Sequence, residues 1–197
     1  MNMLRLNSTI GALLLMSSFA FAAQHESRIE AAFKQLQVPA TTDQAAKDLL
    51  ALSKANPAAR KYLVEHLPTM IERDPKTVGD SWLNAVRLAG ELKLSETAPA
   101  LVKWINFQTG GMVGMAIWER LDNYPAGKAL SQIGDPAVPT LEGVLQNGTE
   151  EERSVAIRAL SLIHSSAAKA ALEAQLDQQK PKTKEFIKSA LDHWNPS

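Results

Sequence analysis

An all-α fold is predicted by three features of the chain. Apolar residues recur at steps of three and four, helix-start devices punctuate the sequence, and strand signals are missing. Trp82, Ala85, Val86, Ala89 and Leu92 fall on one helical face, and Val138, Leu141 and Leu145 on another. Val155, Ala159, Leu162 and Ile163 form a third face; Phe186, Ile187, Ala190, Leu191 and Trp194 form a fourth. No run alternates β-branched with polar residues, and Asn147-Gly148 has helical patterns on both sides rather than the strands a hairpin needs.

The N-terminal segment has the layout of a secretory signal. Arg5 precedes an apolar stretch from Ile10 to Phe21, and Ala20-Phe21-Ala22 supplies an A-x-A cleavage pattern. Residues 1–23 are therefore expected to be a signal peptide cleaved after Ala22 or Ala23, leaving one domain over 24–197. The apolar run is shorter than the roughly 20 residues a span needs, and Ser17 and Ser18 interrupt it. No stable membrane insertion is expected after cleavage, and the expected location is the bacterial periplasm or the medium. The sequence has no Cys, which excludes disulfides, thiol catalysis, Cys-based metal sites and a lipid-attached Cys.

Helix starts follow in order. Thr41 with Gln44 and Thr149 with Glu152 fit capping boxes, in which the first side chain accepts from a backbone N–H and the second reaches back. Asn56-Pro57 and Asp135-Pro136 each offer a capping oxygen followed by a proline where its missing N–H costs nothing. Leu67-Pro68 is expected to break or kink the stretch Ala58 to Arg73, which then reads as a helix pair. Glu150-Glu151-Glu152 falls in a first turn, where negative charge suits the helix dipole.

Composition bounds the function. Hydrophobic residues make up 45% of 197, enough for a sizeable core. Lys+Arg and Asp+Glu are 21 each. That balance argues against a general nucleic-acid binder, which carries a basic excess.

The helical segments also repeat. Lys128 to Leu141, Arg158 to Leu172 and Lys188 to Trp194 align, with anchors Ile133, Ile163 and Trp194 about 30 residues apart, as paired-helix repeats require. Arg87 to Leu101 is an earlier copy at about ten residues' greater distance, so an insertion separates it from the next. The stretch Ala129-Leu130-Ser131-Gln132-Ile133-Gly134-Asp135-Pro136-Ala137-Val138-Pro139-Thr140-Leu141, followed by Val155-Ala156-Ile157-Arg158-Ala159-Leu160, resembles the HEAT repeat. The likeness is to its short, phycobilisome-lyase-like variant. The resemblance runs over Val86 to Leu172, loosens over Asp177 to Trp194, where the Gly-Asp-Pro hinge is absent, and weakens before Trp82. It implies an α-solenoid of stacked antiparallel helix pairs and a binding role rather than a chemistry. The segments Arg28 to Lys34 and Gln175 to Lys184 are expected to be the polar caps such an array needs.

The insertion covers residues 106–125. Gly110-Gly111 is expected to end the helix containing Trp104, and a short helix is expected from Met112 to Asn123 with Val113, Ala116, Ile117 and Leu121 facing inward. Repeat-array insertions often gather on the binding face, and Met, Trp and Tyr suit contact surfaces. The candidate protein-contact patch is Trp104, Phe107, Met112, Met115, Trp118, Arg120 and Tyr124. The competing reading is that these residues fill core space around an irregular repeat.

No catalytic motif emerges. His25, His66, His164 and His193 are scattered, and none forms H-E-x-x-H, so no metal site is expected. Ser166-Ala167-Ala168-Lys169 matches S-x-x-K without its companion motifs, and Ser166 reads as a helix-start residue. G-x-S-x-G, G-x-G-x-x-G and the P-loop pattern are missing, and no cofactor is expected. The expectation is an exported, non-catalytic scaffold that binds another protein of unknown identity. The alternative is an enzyme or enzyme subunit, because some HEAT-like proteins are bilin lyases or accessory subunits. An exported location fits bilin attachment poorly.

Overall fold

The computed structural model describes residues 26–110, 121–192 and 194, and none of these is in a strand. The expected signal segment, residues 1–23, and residues 111–120 of the insertion lie outside the described residues. The helices are α1 (26–36), then α2 (Thr42–Ala55), α3 (Pro57–Ile71), α4 (Pro75–Val78), α5 (Asp80–Glu91) and α6 (Ala98–Val102). After the insertion come α7 (Pro125–Ile133), α8 (Val138–Asn147), α9 (Glu150–Ile163), α10 (Ser166–Gln175) and α11 (Pro181–Asp192).

Local chemistry accounts for most boundaries. The Asn56 side chain accepts from Ala58 N–H at 2.9 Å and Pro57 opens α3. At α9 both bonds of the capping box form: Glu152 N–H donates to Thr149 Oγ1 at 3.3 Å, and Thr149 N–H to Glu152 Oε2 at 2.7 Å. Asp74-Pro75 repeats the Asn-Pro device, with Lys76 N–H on Asp74 Oδ1 at 2.9 Å.

Several boundaries differ from expectation. Thr41 makes no capping box. Its hydroxyl lies 2.9 Å from the Gln35 carbonyl and 2.8 Å from Gln35 Oε1, while Gln44 donates to Asp48 at 2.9 Å. Asp135-Pro136 opens a 3-10 turn, Asp135–Ala137, without a side-chain cap, and α8 begins only at Val138. Pro68 lies within α3, which continues to Ile71, so Ala58 to Arg73 holds one helix rather than a pair. Pro68 gives up its own bond to the Val64 carbonyl without ending the helix. The α3 partner is instead α2. α10 begins at Ser166 as expected, with Ser165 before it as the cap, its hydroxyl accepting from Ala168 N–H at 3.2 Å.

The helices order themselves in two rows by contact. α2, α5, α7, α9 and α11 pack in succession, as do α3, α6, α8 and α10. The rows are tied by α2–α3, α3–α5, α6–α7, α8–α9, α9–α10 and α10–α11. One core cluster runs through them from Ile29 of α1 to Ala190 of α11. Glycine allows the closest approach. A methyl placed on Gly90 of α5 would lie only 2.9 Å from the Ala129 Cα of α7. The α5 face is buried as expected, Trp82 to Leu92. On α9, however, Leu162 is 49% exposed. That helix is covered by α7, α8, α10 and α11; Val155, Ala156, Ile157, Ala159 and Leu160 take the interior.

Candidate functional site

Of the seven patch residues expected from sequence, Met112, Met115, Trp118 and Arg120 lie outside the described residues. Trp104 is not helical. α6 ends at Val102, well before Gly110, and the backbone then runs in turns where Trp104, Ile105 and Phe107 N–H groups donate to the Leu101, Val102 and Trp104 carbonyls at 3.0–3.1 Å. The expected helix to Asn123 also fails at its C-terminal end, since Leu121 to Asn123 are coil and turn. Leu121 is buried at 2% exposure. Thr109 N–H donates to Asn123 O at 3.0 Å and joins the two ends of the insertion.

Trp104, Phe107 and Tyr124 are all half-buried but have different neighbours. The Phe107 ring meets the fully buried Trp82 edge-on, centroids 5.3 Å apart. Trp82 Nε1 donates to Ile71 O at 2.9 Å and Trp104 Nε1 to Glu72 O at 3.4 Å, so two indoles cover the carbonyl end of α3. Those carbonyls lack helical partners, and the indoles supply them. Tyr124 faces the opposite half of the molecule. Its hydroxyl accepts from Gln108 Nε2 at 2.8 Å, and its ring lies 5.7 Å from the Arg158 guanidinium carbon.

Tyr124 opens onto an open groove of about 830 Å³. Asn106 and Gln108 of the insertion form one wall with it. The first two turns of α9 form a second, through Thr149, Glu150, Glu151, Ser154 and Ile157. The third is α11, through Lys182, Thr183, Glu185, Phe186 and Ser189. The size falls in the range of ligand and peptide sites.

Charge is organised at one end. Glu150 Oε1 lies 2.6 Å from Lys182 Nζ and bridges the N-termini of α9 and α11. Hydrogen bonding and attraction from Lys182 hold the Glu150 carboxyl below its ordinary value, and Glu150 raises Lys182 in return. Both groups are exposed, so solvent screens the pair. Behind the groove lining, the Arg158 guanidinium carbon lies 5.7 Å from the Tyr124 ring and 5.6 Å from the Phe186 ring, within cation–π reach of both. Its Nε is shut off from solvent and has no hydrogen-bond acceptor.

Sequence reading missed Lys182, Phe186 and Arg158 and gave Glu150 only a dipole role. Glu150 and Lys182 are 32 positions apart, and no local spacing signals their meeting. Among the described residues no three His, Asp or Glu side chains converge as metal ligands. No described helix is long and apolar enough to cross a membrane. No family model matches this chain, and no curated protein or solved structure matches it either.

Proposed function

We propose that this chain is an exported, non-catalytic α-solenoid of HEAT-like helix pairs that binds another protein in the groove between Tyr124, α9 and α11. The observation that carries the reading is the pairing itself. α2 contacts α3 and α9 contacts α10, α7 and α8 share the 3-10 turn between them, and the helices follow one another in two rows; a stacked array would offer extended surface rather than an enclosed site. The groove supports it with exposed carboxamide, hydroxyl, charged and aromatic groups from three separate segments. Export rests on the sequence alone, through Arg5, the apolar stretch and Ala20-Phe21-Ala22.

The test captures partners with the protein beginning at Gln24, alongside Tyr124→Ala and Glu151→Lys variants whose melting matches the parent. A stoichiometric protein held by the parent and lost by both variants is expected. Equal capture by all three overturns the groove, and turnover of a small molecule by the isolated protein overturns the non-catalytic reading. Fractionation with an uncleavable Ala22→Asp variant tests export; an unprocessed cytoplasmic parent overturns it.

A further inference from the structure

Asn147-Gly148 is the chain's only Asn-Gly pair, and it lies at the joint between α8 and α9. Asn147 is the exposed last residue of α8, and Gly148 follows in extended backbone, φ −73° and ψ 167°. Any residue adopts that conformation, so backbone freedom does not explain the glycine. Space does. A methyl on Gly148 would lie 2.7 Å from the Val144 carbonyl oxygen and 3.0 Å from Val144 Cγ1. The joint therefore requires the one residue type that leaves the preceding asparagine open to attack by its neighbour's nitrogen, because no Cβ hinders the approach.

Two bonds stand against that attack. Gly148 N–H donates to Val144 O at 2.8 Å, and Asn147 Nδ2 donates to Gly143 O at 3.3 Å. The first ties up the nucleophile and the second the leaving group. Ring closure also requires ψ of Asn147 to leave the helical range. All these constraints belong to the last turn of α8, and helix ends open at low free-energy cost. The turn is held from outside by Arg153, which donates to the Leu145 and Gln146 carbonyls at 2.9 and 3.2 Å.

We propose that Asn147 is a site of spontaneous covalent modification gated by opening of the α8 end. The Gly148 nitrogen forms a bond to Asn147 Cγ, the Cγ–Nδ2 bond breaks, and the Gly148 proton leaves with Nδ2 as ammonia. Water then opens the succinimide, its hydroxyl adding to either carbonyl and its proton to the nitrogen. The net exchange is amide and water for carboxylic acid and ammonia, and the product is aspartate or isoaspartate at position 147. Either product places a carboxylate at a helix C-terminus, where the dipole disfavours it, and close in sequence to Glu150, Glu151 and Glu152. That carboxylate also competes with the Leu145 and Gln146 carbonyls for Arg153. Isoaspartate lengthens the backbone by one carbon two residues before Thr149, the cap of α9. Thr149, Glu150 and Glu151 line the groove, so the consequence for binding rests on the groove reading; the modification does not.

The full-length protein, its Arg153→Gln variant and the peptide Ac-Leu-Gln-Asn-Gly-Thr-amide are held at mildly alkaline pH. Mass spectrometry follows the exchange of NH2 for OH at the asparagine, and isoaspartyl methyltransferase labelling marks the isomer. The parent is expected to convert about tenfold slower than the peptide, as gating by a helix end requires. Arg153→Gln, with the last turn loosened, is expected to convert about fivefold faster than the parent. A parent as fast as the peptide, or slower by more than about a thousandfold as only global unfolding would make it, overturns the gate. So does an Arg153→Gln rate equal to the parent's. Hydrogen exchange at the Gly148 N–H of the parent reads the same gate without a variant. Its protection should match the slowing relative to the peptide, and a mismatch above about tenfold overturns the gate as well. Converted protein is then offered to a partner captured through Tyr124. Undiminished binding overturns the groove consequence while the modification stands, and conversion without any captured partner leaves the modification standing alone.

Discussion

Gly90 is the sharpest test of how α5 meets α7. Replacing a helix-interior glycine with alanine gains about 1 kcal/mol of helix propensity, and Gly90, next to last in α5, gains no more than that. Gly143 of α8 isolates that gain, because a methyl there meets nothing within 4 Å. At Gly90 the same methyl would lie 2.9 Å from the Ala129 Cα and 3.2 Å from its Cβ, and would press on Gln132 Oε1 as well. Gln132 is exposed and can swing away, but the Ala129 Cα is α7 backbone. The helices must then separate, and overpacking of this kind costs about 1–3 kcal/mol. The cost outweighs the propensity gain. Gly90→Ala should lose about 1 kcal/mol, and Gly143→Ala should gain about 0.5–1 kcal/mol. For a domain of this size each kcal/mol moves Tm by about 2–4 °C, so the two variants should melt about 4–8 °C apart on either side of the parent. Differential scanning calorimetry reads this directly. A Gly90→Ala protein that melts at or above the parent would refute the close approach and with it the packing of the α5–α7 row.

Trp82→Ala should cost about 3–5 kcal/mol, since the ring is fully buried. Trp82→Phe keeps most of the ring, orphans the Ile71 carbonyl and should cost about 1–3 kcal/mol in urea unfolding; a phenylalanine variant as stable as the parent would remove the indole bond from the account. Thr149→Ala removes one half of the α9 capping box and should cost about 1 kcal/mol, visible as a lower Tm. The Glu150–Lys182 pair predicts a pH signature of definite sign. Glu150 is lowered in the folded state, so its contribution is present above the ordinary carboxylate range and is lost as pH falls through the folded value. Lys182 is raised, so its share persists up to its ordinary range and is lost as pH rises through the folded value. The Tm difference between the parent and Glu150→Gln should therefore shrink in acid and in high salt; a difference that grows in acid contradicts the pairing.

Legibility followed interaction range. The box at Thr149–Glu152 and the Asn56-Pro57 start were readable because donor and acceptor lie within three residues and the backbone sets their geometry. Thr41–Gln44 has the same spacing with Gln in place of Glu and failed, because Gln35 of α1 supplies two competing oxygens six residues back. Periodicity placed the α5 face correctly, where Trp82 to Leu92 lies buried in the core. It misplaced Leu162 because α9 is covered by four helices and a single stripe does not describe its burial.

The candidate site divided in the same way. Sequence pointed to Trp104, Phe107 and Tyr124 as large side chains in an interrupted repeat, and all three pack against the core. It had no means of seeing that Trp104 turns to the end of α3 and Phe107 to Trp82 of α5, while Tyr124 turns to Arg158 of α9. By itself the sequence determined the helical class, starts such as Asn56-Pro57 and Thr149, and the α5 face, because these depend on backbone geometry within a turn or two. Only the tertiary structure decided the groove, the Glu150–Lys182 bridge and the approach of Arg158 to the Tyr124 and Phe186 rings. Their members lie on separate segments tens of residues apart, and only the stacking of α7, α9 and α11 brings them within reach.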